Sequence, residues 1–507
     1  MVYFFALVSS LTPNADRFGY LQPARSIGVL RLLEERTIPS VRSAVEIYER
    51  REAPVGIVEE TDCCIVGGGP AGVMLSLLLA RRGVRVVLLE AHRDFDREFR
   101  GNTINPSALE ILARLGLAEG VLGLDHAKAR RFTLQAGGRR KAFADFSRLR
   151  TPYPYVLMLS QARLLDFVVA EAKRYPNFRL VMGARVKELI MEGGTVRGVR
   201  YRGEDGTHEV RTQLTVGTDG RFSRLRKLAG LGADATKGSS PMDVFWFNLP
   251  RQERDPEGAG AVFRFGQGSL LVLMDHSDYW QVGYIIPKGY YLRLKEKGLP
   301  ALRDSVAALA PELADRIEGL QDWGQGALLS VESDLLRRWY RPGLLLLGDA
   351  AHVVSPVGGV GINLAIQDAV VAANVLAGPL GKGKVRVRHL RVVQRRREWA
   401  VRLIQGAQEL AQRHVVADAL HADEPFELSP LLRLLLCTPV LRDLPARLIA
   451  YGAWPVHPKK RVGLGSRVAS WKRSQSIEEG SVCYNCFKRP ANTSNEVFAG
   501  KREGMIQ

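Results

Sequence analysis

Three glycines have the spacing of a phosphate-binding turn: Gly67, Gly69 and Gly72, within the segment DCCIVGGGPAGVMLSLLLARRGVRVVLLE (62–90). In such a motif the first glycine permits a tight turn, the second lets the backbone approach a pyrophosphate, and the third lets helix and strand pack closely. Glu90 ends the segment, where an acid can accept hydrogen bonds from ribose hydroxyls. These four residues predict a dinucleotide-binding site. The alternative is a glycine-rich strand–helix turn without a ligand.

A second candidate site lies in the segment LLLLGDAAHVVSPVGGVGINLAIQDA (344–369). Asp349 follows four leucines, so the sequence predicts a carboxylate at the end of a buried strand, where ligand hydroxyls would need an acceptor. The glycines at 358, 359 and 361 leave room for a planar ring against the main chain. A helix beginning near Gly361 would direct its N-terminus at a group that gains negative charge.

The elements that must position these residues can be predicted from the hydrophobic pattern. Residues 62–90 predict a βαβ unit, with an apolar first strand and a helix that begins near Pro70. Further predicted elements are helices at 105–117, 161–175 and 361–377, short strands at 178–202, a strand at 214–220, an aromatic-rich antiparallel sheet at 243–286 and a helical pattern from 390 to about 455.

The composition is that of a globular protein, with 46% hydrophobic and 25% charged residues and a formal net charge of +19. The densest basic block, 382–402, has helical periodicity and no interleaved aromatic residues, so it predicts an arginine-rich solvated face and no nucleic-acid site. No apolar run reaches the ~18 residues of a membrane span, although peripheral association stays open.

The five cysteines do not have the spacing of a disulfide framework, which predicts a reducing compartment and a cytoplasmic protein. Cys63 and Cys64 lie in an apolar strand and are expected to be core residues. Cys483 and Cys486 form a lone CxxC, which is half of a zinc site, so no metal is predicted.

The segment GTDGRFSRLR (217–226) and the segment 344–369, taken with the glycine motif, resemble the signatures of the flavin-dependent aromatic hydroxylases of the para-hydroxybenzoate hydroxylase fold. The ubiquinone-biosynthesis hydroxylases share that fold. The resemblance covers about residues 61–400, with the three motifs in the family order. Val360 departs from the pattern, because relatives commonly have glutamine there.

The resemblance implies FAD as the cofactor, with NADH or NADPH as the reductant. Gly67, Gly69, Gly72 and Glu90 would bind the ADP half. Asp219 and Gly220 match a motif linked to FAD and to the reductant path, and Asp349 matches the acid that binds the ribityl chain. The remaining positions that would contact the cofactor are Arg100, Gln161, Gly361, Ile362 and Asn363.

The implied fold is α/β: a discontinuous Rossmann-like FAD-binding domain (61–131, 160–235 and 336–378), an antiparallel-sheet substrate domain (132–159 and 236–335) and a helical C-terminal region (379–461). Residues 1–60 are an N-terminal extension without a readable motif. Residues 462–507 form a polar tail that is predicted to be disordered.

The implied reaction is monooxygenation: NAD(P)H reduces FAD, and a flavin hydroperoxide formed with O2 hydroxylates or epoxidises an aromatic, quinone-like, polyketide or isoprenoid molecule. Because the cofactor carries the chemistry, the sequence assigns no catalytic residue. Trp280, Tyr284 and Pro356 are the predicted substrate-pocket residues. Trp280 precedes an Ile-Pro as in flavin halogenases, but Tyr284 and the spacing depart from the halogenase pair. The alternatives are a reductase or saturase of the same fold, a halogenase, and a basic nucleic-acid-binding protein with a vestigial flavin site.

Overall fold

The computed structural model describes residues 58–96, 102–136, 138–232, 235–238, 240–255, 260–266, 268–421, 438 and 441–459. The extension before residue 58, the tail after residue 459 and Arg100 therefore lie outside the described residues. The helices are α1 (Pro70–Ala80), α2 (Pro106–Arg114), α3 (Ala118–Leu122), α4 (Gln161–Lys173), α5 (Arg224–Leu228), α6 (Tyr291–Leu309), α7 (Gly361–Gly381), α8 (Val387–Ala411), α9 (Ala417–His421) and α10 (Leu444–Tyr451).

The predicted βαβ unit forms the centre of the first sheet. Its strands are β1 (Val58–Val66) and β2 (Val86–Leu89), which pair in parallel across α1. The second half of β1 and all of β2 are apolar and buried, as expected for parallel strands covered on both faces, and Cys63 and Cys64 are fully buried in β1. Burial raises the pKa of both thiols, so they are inert core residues, as predicted.

Eight described strands make up this first sheet, and its central strands all run in parallel. β11 (Thr207–Gly217) lies between β1 and β20 (Leu344–Leu346), so the carboxyl ends of three strands distant in sequence meet at one edge. The other members of the sheet are β8 (Phe178–Val181), β9 (Arg185–Glu192), β10 (Thr195–Arg202) and β19 (Tyr340–Arg341). α1 packs against α7 on one face of the sheet.

A second sheet contains the aromatic-rich strands, and seven strands of the described chain belong to it. In order across the sheet they are β17 (Gly326–Ser330), β13 (Met242–Pro250), β16 (Tyr279–Pro287), β15 (Leu270–Asp275), β14 (Ala261–Phe265), β5 (Arg131–Ala136) and β6 (Arg139–Asp145). All pairs are antiparallel except β14 with β5. α6, which is interrupted at Gly298, covers one face.

Two small three-stranded sheets complete the described strands. One contains β3 (Thr103–Ile104), β4 (Ala127–Ala129) and β7 (Val156–Met158), and the other contains β12 (Thr236–Gly238), β18 (Ser333–Leu335) and β21 (His352–Val353). The α/β fold with a second, antiparallel sheet confirms the predicted class, whereas the domain boundaries stay predictions. α7 is long and apolar enough to span a membrane by length and composition, but 72% of its apolar window is buried within the protein.

Candidate active site

The turn between β1 and α1 has a shape that only glycine allows. Gly67 has a φ of 103°, and a Cβ atom there would lie 2.5 Å from the carbonyl oxygen of Thr218. A Cβ atom on Gly72 would lie 2.0 Å from the carbonyl oxygen of Gly67. Gly69 is different, because the nearest atom to a Cβ there would be 3.9 Å away. The first and third glycines thus close the turn, and the second leaves space above the backbone.

The N-terminus of α1 has room for an anion. Gly69 is the N-cap residue without a side-chain cap, and Pro70 occupies the first turn, in which no acidic residue stands. The first backbone N–H groups of a helix lack intrahelical partners and carry a partial positive charge. This end of α1 therefore has the features of a pyrophosphate-binding site.

Glu90 lies directly beside the glycine turn and is 2% exposed. Its Oε2 accepts a hydrogen bond from the Gly68 nitrogen at 2.6 Å, and its Oε1 accepts one from the His92 nitrogen at 3.0 Å. Oε1 also lies 2.7 Å from His92 Nδ1, and a contact of Glu90 with ribose hydroxyls stays a prediction. The structure thus brings the predicted ribose acceptor to within one hydrogen bond of the predicted phosphate turn.

Thr218 joins the second motif to the first. Its Oγ1 donates to the carbonyl oxygen of Gly67 at 2.7 Å, and its nitrogen donates to Val66 at 2.8 Å. Sequence reasoning missed this residue, although it stands immediately before Asp219 and Gly220 in GTDG. Its hydroxyl fixes the carbonyl that faces Gly72, so Thr218 positions the glycine turn.

Asp219 is turned toward α5. Its Oδ1 accepts from the Ser223 hydroxyl at 2.6 Å, and its Oδ2 accepts from the Leu225 nitrogen at 3.0 Å. Burial raises the pKa of this carboxyl, and the bonds from Ser223 and Leu225 oppose that shift. Gly220 follows with a φ of 75°. The observed contacts are those of a helix cap, and the cofactor contact of Asp219 stays a prediction.

Asp349 stands in a single helical turn, Gly348–Ala350, directly after β20. It is partly exposed at the end of the parallel sheet, where β11 also ends. Gly348 has a φ of 57°, and its nitrogen donates to Asp368 Oδ2 at 3.0 Å. Asp349 therefore lies where the sequence predicted it, at the carboxyl end of a buried strand and on the same sheet edge as the glycine turn.

The start of α7 is held against β3. Gly361 is its first residue, and Ile362 and Asn363 are both buried. Asn363 Oδ1 accepts from the Asn105 nitrogen at 2.8 Å, and its Nδ2 donates to the Thr103 carbonyl at 3.3 Å. The Asn363 side chain therefore fixes the first turn of α7, and the contact of this turn with a cofactor stays a prediction.

Gln161 is the first residue of α4 and lines a polar cavity of about 240 Å³. Asn102 Oδ1 accepts a hydrogen bond from the Gln161 nitrogen at 3.4 Å, and Asn102 Nδ2 donates to Gln281 Oε1 at 3.1 Å. Asn248 of β13 and His276, in the turn between β15 and β16, also line the cavity. Burial lowers the pKa of His276 to about 4, so its imidazole is neutral near pH 7. Of these residues only Gln161 was predicted.

The aromatic residues predicted for the substrate pocket, Trp280 and Tyr284, do not line this cavity. Trp280 and Tyr284 are buried beneath the second sheet, in the cluster that packs against α6. Trp280 Nε1 donates to Asp255 Oδ2 at 2.8 Å. Side chains alternate across a strand, and Tyr279 and Gln281 are the β16 residues that line the cavity, where Gln281 accepts from Asn102. Pro356, by contrast, is partly exposed in the loop before α7, and its carbonyl accepts from Gly359 at 2.9 Å.

His352 is a buried structural residue whose partner is a carboxylate. Its Nε2 lies 2.7 Å from Asp368 Oδ2, and Arg397 Nε donates to Asp368 Oδ1 at 2.6 Å. Although burial raises the pKa of Asp368, the charges of His352 and Arg397 lower it to about 2. In the described part of the chain, no three His, Cys, Asp or Glu side chains are grouped to hold a metal ion.

The fold and the site define a flavoprotein. The glycine turn, the open N-terminus of α1, Glu90 and Asp349 lie along one edge of a parallel sheet, which is where α/β folds bind dinucleotides. The sequence model of the FAD binding domain family matches residues 60–407. The chain belongs to this family and is an FAD-dependent oxidoreductase of the monooxygenase class.

Individual relatives agree with this assignment. The chain is 38% identical over 338 residues to the 6-methylpretetramide 4-monooxygenase of Streptomyces rimosus, covering 66% of this chain and 80% of that protein. The anhydrotetracycline hydroxylase structure from the same species has a TM-score of 0.61 at 24% identity and covers 77% of this chain and 76% of that chain. A flavin-dependent brominase structure has a TM-score of 0.64 at 17% identity, covering 77% and 93%. At these identities the two structures show the shared fold alone.

Proposed function

We propose that this monooxygenase hydroxylates a fused-ring aromatic molecule of polyketide type. The observation that carries the proposal is the contact between Val357, in the loop before α7, and an apolar face of the second sheet. This face would hold a flat ring system, while the loop belongs to the segment expected to bind the flavin. The identity to the 6-methylpretetramide 4-monooxygenase supports the same substrate class.

The face opposite α6 is apolar and aromatic. Val244, Trp246 and Ile285 are buried there, on neighbouring strands β13 and β16. Phe143 and Phe263 pack against the same cluster and meet edge to face, with ring centroids 5.4 Å apart. Aromatic walls favour flat aromatic ligands through stacked and edge contacts. Further along β13 and β16 the surface becomes polar, with Asn248 opposite Gln281, which suits the oxygen substituents of such a molecule.

The cofactor would be held by residues of this chain at both ends. The N-terminus of α1 and Glu90 suit the pyrophosphate and a ribose, while Asp349, Gln161 and the start of α7 suit the ribityl chain and the ring. FAD supplies electron transfer from NAD(P)H and activation of O2. The overall reaction joins substrate, O2, NAD(P)H and a proton to give hydroxylated product, NAD(P)+ and water. The chain supplies orientation and a dry surface.

The test is a comparison of three substrate classes with the purified holoenzyme. A tetracyclic phenol, a one-ring phenol and a linear isoprenoid alkene are each supplied with NADH or NADPH in air. Product is analysed by mass spectrometry with ¹⁸O₂, and hydrogen peroxide is measured in parallel. We expect only the tetracyclic phenol to gain one labelled oxygen atom per NAD(P)H consumed.

Other outcomes would contradict the proposal in distinct ways. Product that contains halogen and requires halide would identify a halogenase. Reduction of the isoprenoid without oxygen consumption would identify a reductase or saturase. Preferred coupling to the one-ring phenol would keep the reaction and overturn the substrate class. The reaction is placed in the cytoplasm, where NAD(P)H is abundant and where the reduced thiols of Cys63 and Cys64 are expected to persist.

A further inference from the structure

The inner face of α8 carries buried polar side chains, and one of them, Gln408, holds the backbone of the cofactor segment. Gln394, Arg397 and Gln408 are buried at helical spacing among apolar neighbours such as Val393 and Ile404. Buried polar side chains are costly unless they are hydrogen-bonded. Each of the three is bonded, and the partners of Gln408 lie in the loop between β21 and α7.

Gln408 holds the loop on both sides of Pro356. Its Nε2 donates to the carbonyl oxygens of Ser355 and Val357, each at 2.8 Å. Its Oε1 accepts from the Ser355 nitrogen at 3.2 Å. One side chain therefore satisfies three backbone groups within three consecutive residues. The side-chain amide of Gln408 thus uses both amide hydrogens and one acceptor position of its oxygen, and the residue is 6% exposed.

The residues that follow the loop have little side chain of their own to fix them. Gly358 and Gly359 have φ angles of 82° and 61°, in the region that glycine adopts most readily. They lead directly into Gly361 and the first turn of α7. Such a turn has many alternative conformations, so its position depends on its hydrogen bonds, and the Gly359 carbonyl accepts from Thr103 Oγ1 at 2.9 Å and from Asn363 Nδ2 at 3.1 Å. Asn363 supplies an anchor on the helix side, and Gln408 supplies one on the loop side.

We propose that Gln408 is a positioning residue for oxygen transfer: it fixes Ser355–Val357 and thereby sets both the start of α7, which faces the flavin ring, and Val357, which faces the substrate. It acts through the loop and contacts neither molecule. The inference rests on the proposed function, because it assigns this loop to the gap between ring and substrate. A displacement of about 1 Å at a reacting centre can lower the rate ~100-fold.

The experiment compares Gln408→Met with Gln394→Met in the full-length holoenzyme. Gln394 is the matched control: it is a buried glutamine of the same helix that also holds backbone groups, accepting from the Trp339 nitrogen and donating to the Arg337 carbonyl. Both substitutions remove comparable hydrogen bonds, so both should lower the melting temperature to a similar degree.

Only Gln408→Met should change the behaviour of the bound flavin. We expect its FAD absorption spectrum to shift, and its yield of hydroxylated product per NAD(P)H to fall about threefold or more, with peroxide making up the difference. The KM for NAD(P)H should stay within about twofold. A wild-type spectrum and yield in Gln408→Met, or equal changes in Gln394→Met, would overturn the proposal. If Gln408→Met does not fold, Gln408→Asn is measured by the same criteria.

The spectrum separates this inference from the substrate proposal. It is recorded without substrate, so it responds to Gln408 even if the wild-type protein gives no hydroxylated product. A shifted spectrum together with inactive wild-type enzyme would support Gln408 and reject the proposed substrate class. An unchanged spectrum of Gln408→Met together with active, coupled wild-type enzyme would reject the role of Gln408 and support the proposed substrate class.

Discussion

Glu90 accepts a hydrogen bond from the backbone nitrogen of Gly68 at 2.6 Å, across 22 residues of sequence. The two residues belong to different strand ends, so the bond ties the acid expected to hold the ribose to the turn expected to hold the pyrophosphate. The acid therefore shapes the turn itself, and we expect it also to accept hydrogen bonds from ribose hydroxyl groups.

Replacing Glu90 with Gln should weaken FAD binding about tenfold. A hydrogen bond to a charged group contributes roughly 1.5–3 kcal/mol, and tenfold corresponds to about 1.4 kcal/mol. Titration of the apoprotein with FAD measures the dissociation constant. Glu204→Gln is the control, because Glu204 is an exposed acid paired with Arg93. Equal dissociation constants for Glu90→Gln and wild type would show that the ribose is bound elsewhere.

Gly72→Ala should abolish FAD binding and destabilise the protein. The added Cβ would lie 2.0 Å from the Gly67 carbonyl oxygen and 2.6 Å from Thr218 Oγ1, and overpacking of this kind costs roughly 1–3 kcal/mol. Gly378→Ala in α7 is the matched control, because a Cβ there meets no atom within 4 Å. Alanine exceeds glycine in helix propensity by up to about 1 kcal/mol, so Gly378→Ala should keep the flavin and leave the melting temperature unchanged or raised. The idea fails if both variants retain FAD equally.

Trp280→Phe should reduce stability and spare substrate binding. The substitution removes the hydrogen bond to Asp255, a buried acid that also pairs with Arg316 at 2.6 Å. The loss should be roughly 1–3 kcal/mol in the free energy of unfolding. Trp246→Phe, on the opposite face of the same sheet, should instead change the KM for the aromatic substrate. Urea unfolding and steady-state kinetics test the two variants. An altered KM in Trp280→Phe alone would show that Trp280 contributes to the substrate pocket.

His276 should contribute to loss of stability in mild acid. Burial lowers its pKa from 6.5 to about 4, so between these values the unfolded chain binds a proton that the folded protein rejects. Stability should therefore fall as the pH decreases from 6.5 to 4, by about 3 kcal/mol from this group. His276→Phe keeps the ring that stacks on Tyr279 at 4.5 Å and removes the titration. Unfolding measured across this range should be less steep in the variant, and equal slopes would contradict the assignment.

The sequence predicted those parts of the site whose residue types are dictated by local geometry. Gly67 and Gly72 stand where neighbouring backbone atoms leave no room for a Cβ atom. Asp349 was identified because a carboxylate at the end of a buried strand is energetically costly unless it has a hydrogen-bonding partner. The sequence predicted Trp280 and Tyr284 near the substrate pocket without identifying their face, because alternation identifies two faces of a strand without saying which one a helix covers. In the structure α6, which follows later in the chain, covers the face that carries Trp280 and Tyr284.

Gln394 and Gln408 were missed for a different reason. A polar residue on an amphipathic helix is normally solvated, and the arginines of α8 reinforce that interpretation. The available signal was position: both glutamines share the helical stripe of Val393, Ala400 and Ile404, which are buried. Their partners are backbone groups, which have no signature in sequence. Thr218 illustrates the same limit, because its partner is the carbonyl of Gly67.

The sheet order has a consequence for biosynthesis. β11 lies between β1 and β20, so the edge that would hold the cofactor is complete only when residue 346 has been made. Translation adds about 5–20 residues per second, so tens of seconds pass between the emergence of the first βαβ unit from the ribosome and the synthesis of β20. During that interval an apolar strand edge is unpaired and open to aggregation. The yield of folded protein should therefore depend on chaperones and on the rate of translation between β1 and β20. Added flavin should increase that yield only after β20 has been synthesised.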